Sequence, residues 1–228
     1  MRDNIFGFEL YKEPNYSYTM LTNNLGKVNN TVLVGYFQSY KYFEKYKATI
    51  TRLLKIPTLK ADLLQINNTI KQIDFKNAVS MHFRLGDYKL LPDQYIILPI
   101  NYYKNALLHI LNNNSNNSNS NNIITIIYFC EQSELTEVNN MINLLQKDNQ
   151  FTEYKLDFVR FVLDDWQELL LMSCCQYNII ANSTFSWWGA YLSSNTTVCY
   201  PFKWFGTTLA EKNNTIDLFP PTWNCISF

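Results

Sequence analysis

Apolar and polar positions succeed one another regularly from residue 78 to residue 200. Short apolar runs with the length of buried strands alternate with longer segments whose apolar residues recur at helical spacing. The predicted strands are 78–83, 123–129, 158–163, 178–181 and 196–200, and the predicted helices are 101–111, 134–145, 166–174 and a last one ending at 192. Apolar strands that alternate with helices favour a parallel sheet covered on both faces. The pattern therefore predicts an α/β fold with a Rossmann-like sheet.

The pattern before residue 78 is less regular. A β-branched run predicts a strand over 31–36, and helical spacing predicts helices over 39–54 and 59–73, with Pro57 blocking continuation of the first. Residues 112–122 form an Asn/Ser tract too polar to pack, which predicts a disordered surface insertion. We divide the chain at residue 78, with 1–77 and 78–228 as its two parts.

Composition excludes several classes of protein. The 228 residues carry no formal net charge, which argues against a general nucleic-acid binder. The five cysteines show neither disulfide nor zinc spacing and fit free thiols in a reducing compartment. Apolar runs are too short to span a membrane, and the chain opens without a signal peptide. These features predict a cytoplasmic protein without a membrane anchor, a metal site or a nucleic-acid partner.

Polar residues cluster where the predicted strands end. His82, Arg84 and Asp87 lie at or just after the first strand, Glu131 follows the second, Asp164 the third, and Asn182 and Ser183 the fourth. In open parallel sheets, ligands bind outside the carboxyl ends of the strands. We therefore predict a ligand site at this edge of the sheet.

Each of the first three residues has two interpretations. A guanidinium beside a Gly turn suits a phosphate or carboxylate ligand, but Arg84 could equally form a salt bridge with Asp87. His82 could act as an acid or base, although a strand histidine is more often a core residue. Asp87 and Asp93 are candidate general bases, and Asp93 fits a surface loop better.

The other two positions also leave alternatives open. The hydroxyl-rich helix start at Ser183 and Thr184 fits an N-cap or an anion site, because free N–H groups and the helix dipole point the same way there. Asp164 could accept hydrogen bonds from a ribose or base, or cap the following helix. We interpret Trp187 and Trp188 as core residues that fix this helix.

Several motifs resemble one family in their order along the chain. His82-Phe83-Arg84-Leu85-Gly86-Asp87-Tyr88 resembles the His-x-Arg-x-Gly-Asp-Tyr motif of the α-1,2-fucosyltransferases, glycosyltransferase family 11. The resemblance extends from about residue 35 to the end, and its other segments are 35–39, 101–106, 129–131, 170–175, 179–190 and 203–206.

The resemblance implies a GT-B-type nucleotide-binding domain that transfers L-fucose from GDP-fucose to a galactoside hydroxyl, in α-1,2 linkage, with inversion and without a required metal or cofactor. It implies catalytic roles for Arg84, Asp87 and His82, with Arg84 on the pyrophosphate. The implied GDP-fucose-binding residues are Arg84, Asp164, Asn182, Ser183, Thr184, Phe185 and Ser186.

Two departures from the family pattern qualify this expectation. The family's Gly-Gly-x-Gly-Asn-Gln segment has no counterpart here, and Leu85 stands where many members have a second arginine. We therefore expect residues 1–77 to be a remnant of an acceptor-side domain, whose missing part a partner chain could supply. The alternative is a truncated, inactive homologue that keeps the fold and binds at most GDP or a partner chain.

Overall fold

A computed structural model describes residues 4–5, 8–21, 30–113, 123–194 and 196–228. Two sheets organise these residues. The first has three strands: β1 (Asn4–Ile5) pairs antiparallel with β2 (Phe8–Lys12), which pairs parallel with β3 (Thr31–Val34). The second has six parallel strands: β4 (Val79–His82), β5 (Ile123–Phe129), β6 (Lys155–Val159), β7 (Tyr177–Ile179), β8 (Thr197–Pro201) and β9 (Asn224–Ile226).

Among the residues described, three α-helices follow the first sheet along the chain, and five more alternate with the strands of the second sheet. Between the sheets lie α1 (Lys47–Leu53), α2 (Ile56–Leu63) and α3 (Asn68–Lys71). The strands of the second sheet alternate with α4 (Ile100–Asn113), α5 (Leu135–Gln146), α6 (Asp165–Met172), α7 (Thr184–Tyr191) and the short α8 (Thr207–Ala210). This alternation confirms the predicted Rossmann-like α/β architecture.

Strand order in the large sheet is β6-β5-β4-β7-β8-β9. The chain starts in the middle with β4, moves outward to β6, and returns to β4's other side with β7. This is the doubly wound order of Rossmann folds, which reverses direction between the two strands at the centre. The sheet therefore has one switch point, between the carboxyl ends of β4 and β7.

Apolar residues on the two faces of the sheet build separate parts of the core. Val79 and Met81 belong to a buried cluster with Tyr103 of α4 and Ile142 of α5. A second cluster on the other face joins residues of β5 to α2 and α6, and a third joins Ile180, just after β7, and Val198 of β8 to α7. Helices thus cover both faces, as near-continuous apolar strands require.

Two features of the strands in the second half of the chain differ from the sequence prediction. The third strand was predicted over 158–163, but β6 is an edge strand whose pairing with β5 ends at Val159. The strand predicted over 196–200 is not the last one. It is followed by β9, only three residues long and without the apolar run that would have revealed it.

Two helices predicted in the first half are interrupted. The segment 39–54 forms two 3-10 turns and then α1, while 59–73 divides into α2 and α3, with Asn67 capping the second. Pro57 lies in the first turn of α2, where its missing N–H costs nothing. Of the predicted insertion 112–122, residues 112 and 113 belong to α4 and the remainder lies outside the described residues.

Candidate functional site

The segments that follow β4 and β7 meet at the switch point of the sheet. The first contains His82, Arg84 and Asp87, and the second runs from Ile180 into α7. Tyr88 connects them, because its hydroxyl donates to the Asn182 carbonyl at 2.8 Å and its ring stacks on Tyr95 with centroids 4.2 Å apart. The structure thus brings together residues predicted from distant positions.

Arg84 is held by two carboxylates and one aromatic ring. Its guanidinium donates to Asp87 at 2.7 Å and forms a second ion pair with Glu131. It also lies over the ring of Tyr88, 5.4 Å from the centroid. The salt bridge with Asp87 that the sequence suggested is therefore present, and it orients the guanidinium at the edge of the sheet.

A buried carboxylate shapes the turn that carries Arg84. Glu134, with 4% of its surface exposed, accepts hydrogen bonds from the backbone N–H groups of Leu85 and Gly86. A Cβ at Gly86 would lie 2.8 Å from the Glu134 Oε1 atom, so glycine is required here by close approach. Leu85 is fully buried in the core and brings no charge to the site.

His82 is almost fully buried, with 7% of its surface exposed. Its Nδ1 atom has no hydrogen-bond partner, and its ring lies 5.6 Å from that of Phe185. Burial lowers the pKa of His82 to about 3, and the nearby positive charge of Arg84 acts in the same direction. The imidazole is therefore neutral at physiological pH and can donate or accept a single hydrogen bond at each nitrogen.

Asn182 is a buried connector between loops. Its side-chain amide donates to the carbonyls of Ile96 and Trp204, both at 3.0 Å, and its Oδ1 atom is buried without a partner. The amide nitrogen of Asn182 therefore holds these two loops together beneath the start of α7. The proposed contact of Asn182 with a donor remains a prediction.

The start of α7 has the expected cap. Ser183 is the N-cap, and its hydroxyl accepts from the Phe185 N–H at 3.3 Å. Ser186 is buried and its hydroxyl donates to backbone carbonyls at 3.3–3.4 Å, whereas Thr184 is exposed. Trp187 is buried, as predicted, and donates to the Leu218 carbonyl at 3.0 Å. Thr184 and Phe185 are therefore the accessible side chains of this turn.

Asp164 is the N-cap of α6 and forms a capping box with Gln167. The capping alternative is thus confirmed, while a contact with a ribose or base remains a prediction. Because β6 ends at Val159, Asp164 lies five residues beyond the strand and not directly at its end. It does not line the cavity described next.

A cavity of about 780 Å³ opens beside Arg84. The lining includes His82 and Phe185, so three of the predicted residues meet here. Three further charged residues of the lining, Arg160, Asp165 and Glu168, were not among the predicted site residues. Arg160 was placed inside a strand predicted to continue to residue 163. An end at Val159 would have put it at the same sheet edge as Arg84.

Glu168 is the acidic group of this cavity whose titration differs most from the usual range. The pKa of Glu168 is raised to about 6, chiefly by burial and also by the nearby charge of Asp165, while the positive charge of Arg160 lowers it. Within the described ranges of the chain, no group of three or more His, Cys, Asp or Glu side chains could hold a metal ion.

Phe185 also borders a second cavity, of about 430 Å³. Its walls are largely aromatic and include Tyr36, Phe37 and Trp188. Phe37 has a positive φ of 46°, and Glu13 holds this bend by accepting the N–H groups of Tyr36 and Phe37 at 2.8 and 2.9 Å. A strained non-glycine residue at the rim of a cavity is typical of functional sites.

Fold and site together define a Rossmann-like protein with a charged cavity at the switch point of its sheet. The family model for glycosyl transferase family 11 matches residues 8–227, so the chain belongs to glycosyltransferase family 11. No solved structure gave a significant match.

Three relatives illustrate the range of this family. The chain is 30% identical to the O-antigen biosynthesis glycosyltransferase WbnK of Escherichia coli, with 97% of this chain and 70% of the relative covered. It is 28% identical to an alpha-1,2-colitosyltransferase of the same organism (83% and 60% covered). It is 26% identical to a galactoside 2-alpha-L-fucosyltransferase of Caenorhabditis elegans (82% and 50% covered). The chain thus spans between half and about two thirds of the length of these proteins.

In the part of the chain that the structure describes, no helix is long and apolar enough to cross a membrane.

Proposed function

We propose that this glycosyltransferase moves L-fucose from GDP-fucose to a galactoside hydroxyl, forming an α-1,2 linkage with inversion. The observation that carries the proposal is the cavity beside the switch point, which is lined by Arg84 after β4 and by Phe185 at the start of α7 after the neighbouring strand β7. The names of two relatives, a galactoside 2-alpha-L-fucosyltransferase and an alpha-1,2-colitosyltransferase, support the linkage and the class of sugar.

The two cavities suggest where the substrates lie. The larger one has the cations that a diphosphate needs, and the aromatic one has the flat apolar walls on which sugars stack. We place the donor in the first and the acceptor in the second, with Phe185 between them. The reaction then takes place where the two cavities meet.

The chemistry breaks the bond between the fucose C1 atom and the diphosphate while the acceptor oxygen attacks C1 from the opposite side. The leaving diphosphate gains negative charge, which fixed donors must stabilise. Arg84 and the free N–H groups at the start of α7 would supply these donors, and no metal is required in this proposal. Asp164, Asn182, Ser183, Thr184 and Ser186 remain proposed donor-binding residues.

The acceptor hydroxyl must also lose a proton. A histidine with a pKa near 3 is a weak base, so we assign His82 to hydrogen bonding and Asp87 to the base role. Asp87 has 59% of its side chain exposed and forms an ion pair with Arg84, which lines the donor cavity. Loss of turnover in Glu168→Gln with retention in Asp87→Asn would instead assign the base role to Glu168.

Arg84→Ala tests the donor site. The variant should bind GDP about 1.5–3 kcal/mol more weakly in calorimetry, the range for hydrogen bonds to charged groups. Lys89→Ala is a matched control, because Lys89 lies in the same turn but pairs with Glu137 outside the cavity. Equal GDP affinity in wild type and Arg84→Ala would remove Arg84 from the site.

A second candidate is a homologue that binds GDP without transferring sugar. It is favoured by the two carboxylates that already occupy the Arg84 guanidinium. GDP binding without turnover of GDP-fucose, or of nucleotide-activated colitose, on any galactoside would support this alternative.

A further inference from the structure

Arg160 is the first residue after β6 and lines the same cavity as Arg84. Strand β5 lies between the strands that carry the two arginines. Neighbouring strands are about 4.8 Å apart, so the two strands are separated by roughly 10 Å. Side chains that converge from this separation leave space for a group the size of a diphosphate.

The two arginines differ in how they are paired. Arg84 has two carboxylate partners, whereas Arg160 belongs to none of the ion pairs among the described residues, and its buried Nε atom has no hydrogen-bond partner. Its guanidinium interacts electrostatically with Cys130 and Glu168 and forms a hydrogen bond with the Cys130 thiol, but no carboxylate in the described part of the chain lies within ion-pair distance of it. A buried donor without a partner destabilises a fold by about 1–3 kcal/mol, so its presence needs an explanation.

A second unpaired polar atom faces the same cavity. His82 is more than nine-tenths buried, lines the cavity and has an unpartnered Nδ1 atom. Two unsatisfied polar side chains on one cavity point to a polar ligand that both contact. The ligand must be an anion, because Arg160 is always charged and provides only donors.

We propose that Arg160 is a second phosphate-binding residue of the cavity and that it grips the diphosphate of the donor from the side opposite Arg84. This role rests on the proposed function, since it assumes that the ligand is a nucleoside diphosphate. Because the Arg160 guanidinium has no carboxylate to release first, it makes the first strong contact with an arriving diphosphate. Arg84 binds the diphosphate after its ion pairs with Asp87 and Glu131 are released.

Arg160→Gln tests the proposal, with Arg52→Gln on the exposed surface of α1 as a matched control. GDP binding is measured by calorimetry at two salt concentrations, together with thermal unfolding. We expect GDP affinity to fall at least tenfold in Arg160→Gln and to depend less on salt, because one charge contact is lost. The unfolding temperature should not fall, because the Nε atom has no partner to lose. Arg160→Lys should restore the salt dependence and part of the affinity.

The possible results separate this inference from the proposed function. Wild-type GDP affinity in Arg160→Gln, with weakened binding in Arg84→Ala, overturns the role of Arg160 and leaves the proposed function standing. Weaker binding with unchanged salt dependence also overturns it, because the contact is then not with phosphate. If the wild type binds no GDP at millimolar concentration, both fail. If Arg160→Gln does not fold, Arg160 has a structural role, and Arg160→Lys becomes the test variant. A stable Arg160→Lys that binds GDP with wild-type affinity would overturn a bidentate contact between the Arg160 guanidinium and the diphosphate.

Discussion

At the scale of single residues, the site combines groups that hold the structure with groups that it leaves unsatisfied. Glu134 uses its buried carboxylate to accept hydrogen bonds from backbone N–H groups of the turn after β4. His82 and Arg160 do the opposite, since each keeps a buried atom without a partner. This contrast separates residues that support the cavity from those available to a ligand.

His82 should make folding stability depend on pH. Its folded pKa, about 3, lies below the unfolded value of 6.5, so its contribution is complete above pH 6.5 and is lost as pH falls towards 3. Between pH 8 and pH 5 this loss amounts to about 2 kcal/mol. Urea unfolding of His82→Leu should not show this loss of stability between pH 8 and pH 5. If the variant has the same pH dependence as the wild type, His82 is not buried in its neutral form.

Asn182→Ala should destabilise the protein by about 1–3 kcal/mol, because two carbonyls lose their donor in a buried place. Asn105→Ala is the control, since the Asn105 amide donates to a single carbonyl on the surface. Chemical denaturation compares the two. Equal stability of both variants would contradict the connecting role of Asn182.

At the scale of elements, the turn after β4 depends on α5 and the residues before it. Glu134 belongs to a capping box with Glu131, and the same carboxylate holds the turn that presents Arg84. Because Glu134 belongs both to the capping box and to the turn, a change in the capping box should move Arg84.

Gly86→Ala tests this dependence. A methyl group would meet the Glu134 carboxylate at 2.8 Å, and overpacking of this kind costs about 1–3 kcal/mol. We expect lower stability in urea unfolding and weaker GDP binding than in Lys89→Ala, a substitution in the same turn. A variant as stable as Lys89→Ala would mean that the turn has room to adapt.

How far the sequence could predict these elements depended on the length of their apolar runs. The strand over 123–129 was predicted at its observed bounds, because seven largely apolar residues leave little ambiguity. The strand predicted over 158–163 was wrong at its end. Apolar residues continue after the edge strand ends at Val159, but they pack against helices. The three residues of β9 have no pattern of their own and pair only because β8 offers an open edge.

The site could be predicted only as far as chain order allowed. The carboxyl ends of β4 and β7 were predicted to lie at one edge of the sheet, but the pairing of these two strands was not predicted. Sequence could not reveal that Ser186 is buried or that the Arg160 Nε atom has no hydrogen-bond partner. Both depend on packing between elements distant in the chain.

At the scale of the whole molecule, the first part of the chain packs against the second near the end of the chain. Asp217 accepts from the Lys41 ammonium and from the Tyr18 N–H, and Ser39 donates to the Asp217 carbonyl at 2.6 Å. These contacts keep the segment with Tyr36 and Phe37 beside α7. The aromatic cavity is therefore built by both parts of the chain, next to the charged cavity at the switch point.

The most direct measurement is incubation of the wild-type protein with GDP-fucose and a lactose-type acceptor, followed by NMR of the product. We predict a fucosylated galactoside with an α-1,2 linkage, release of GDP, and a large loss of both in Arg84→Ala. If the protein neither binds GDP at millimolar concentration nor transfers fucose to any galactoside, the assignment of this cavity as a nucleotide-sugar site is contradicted.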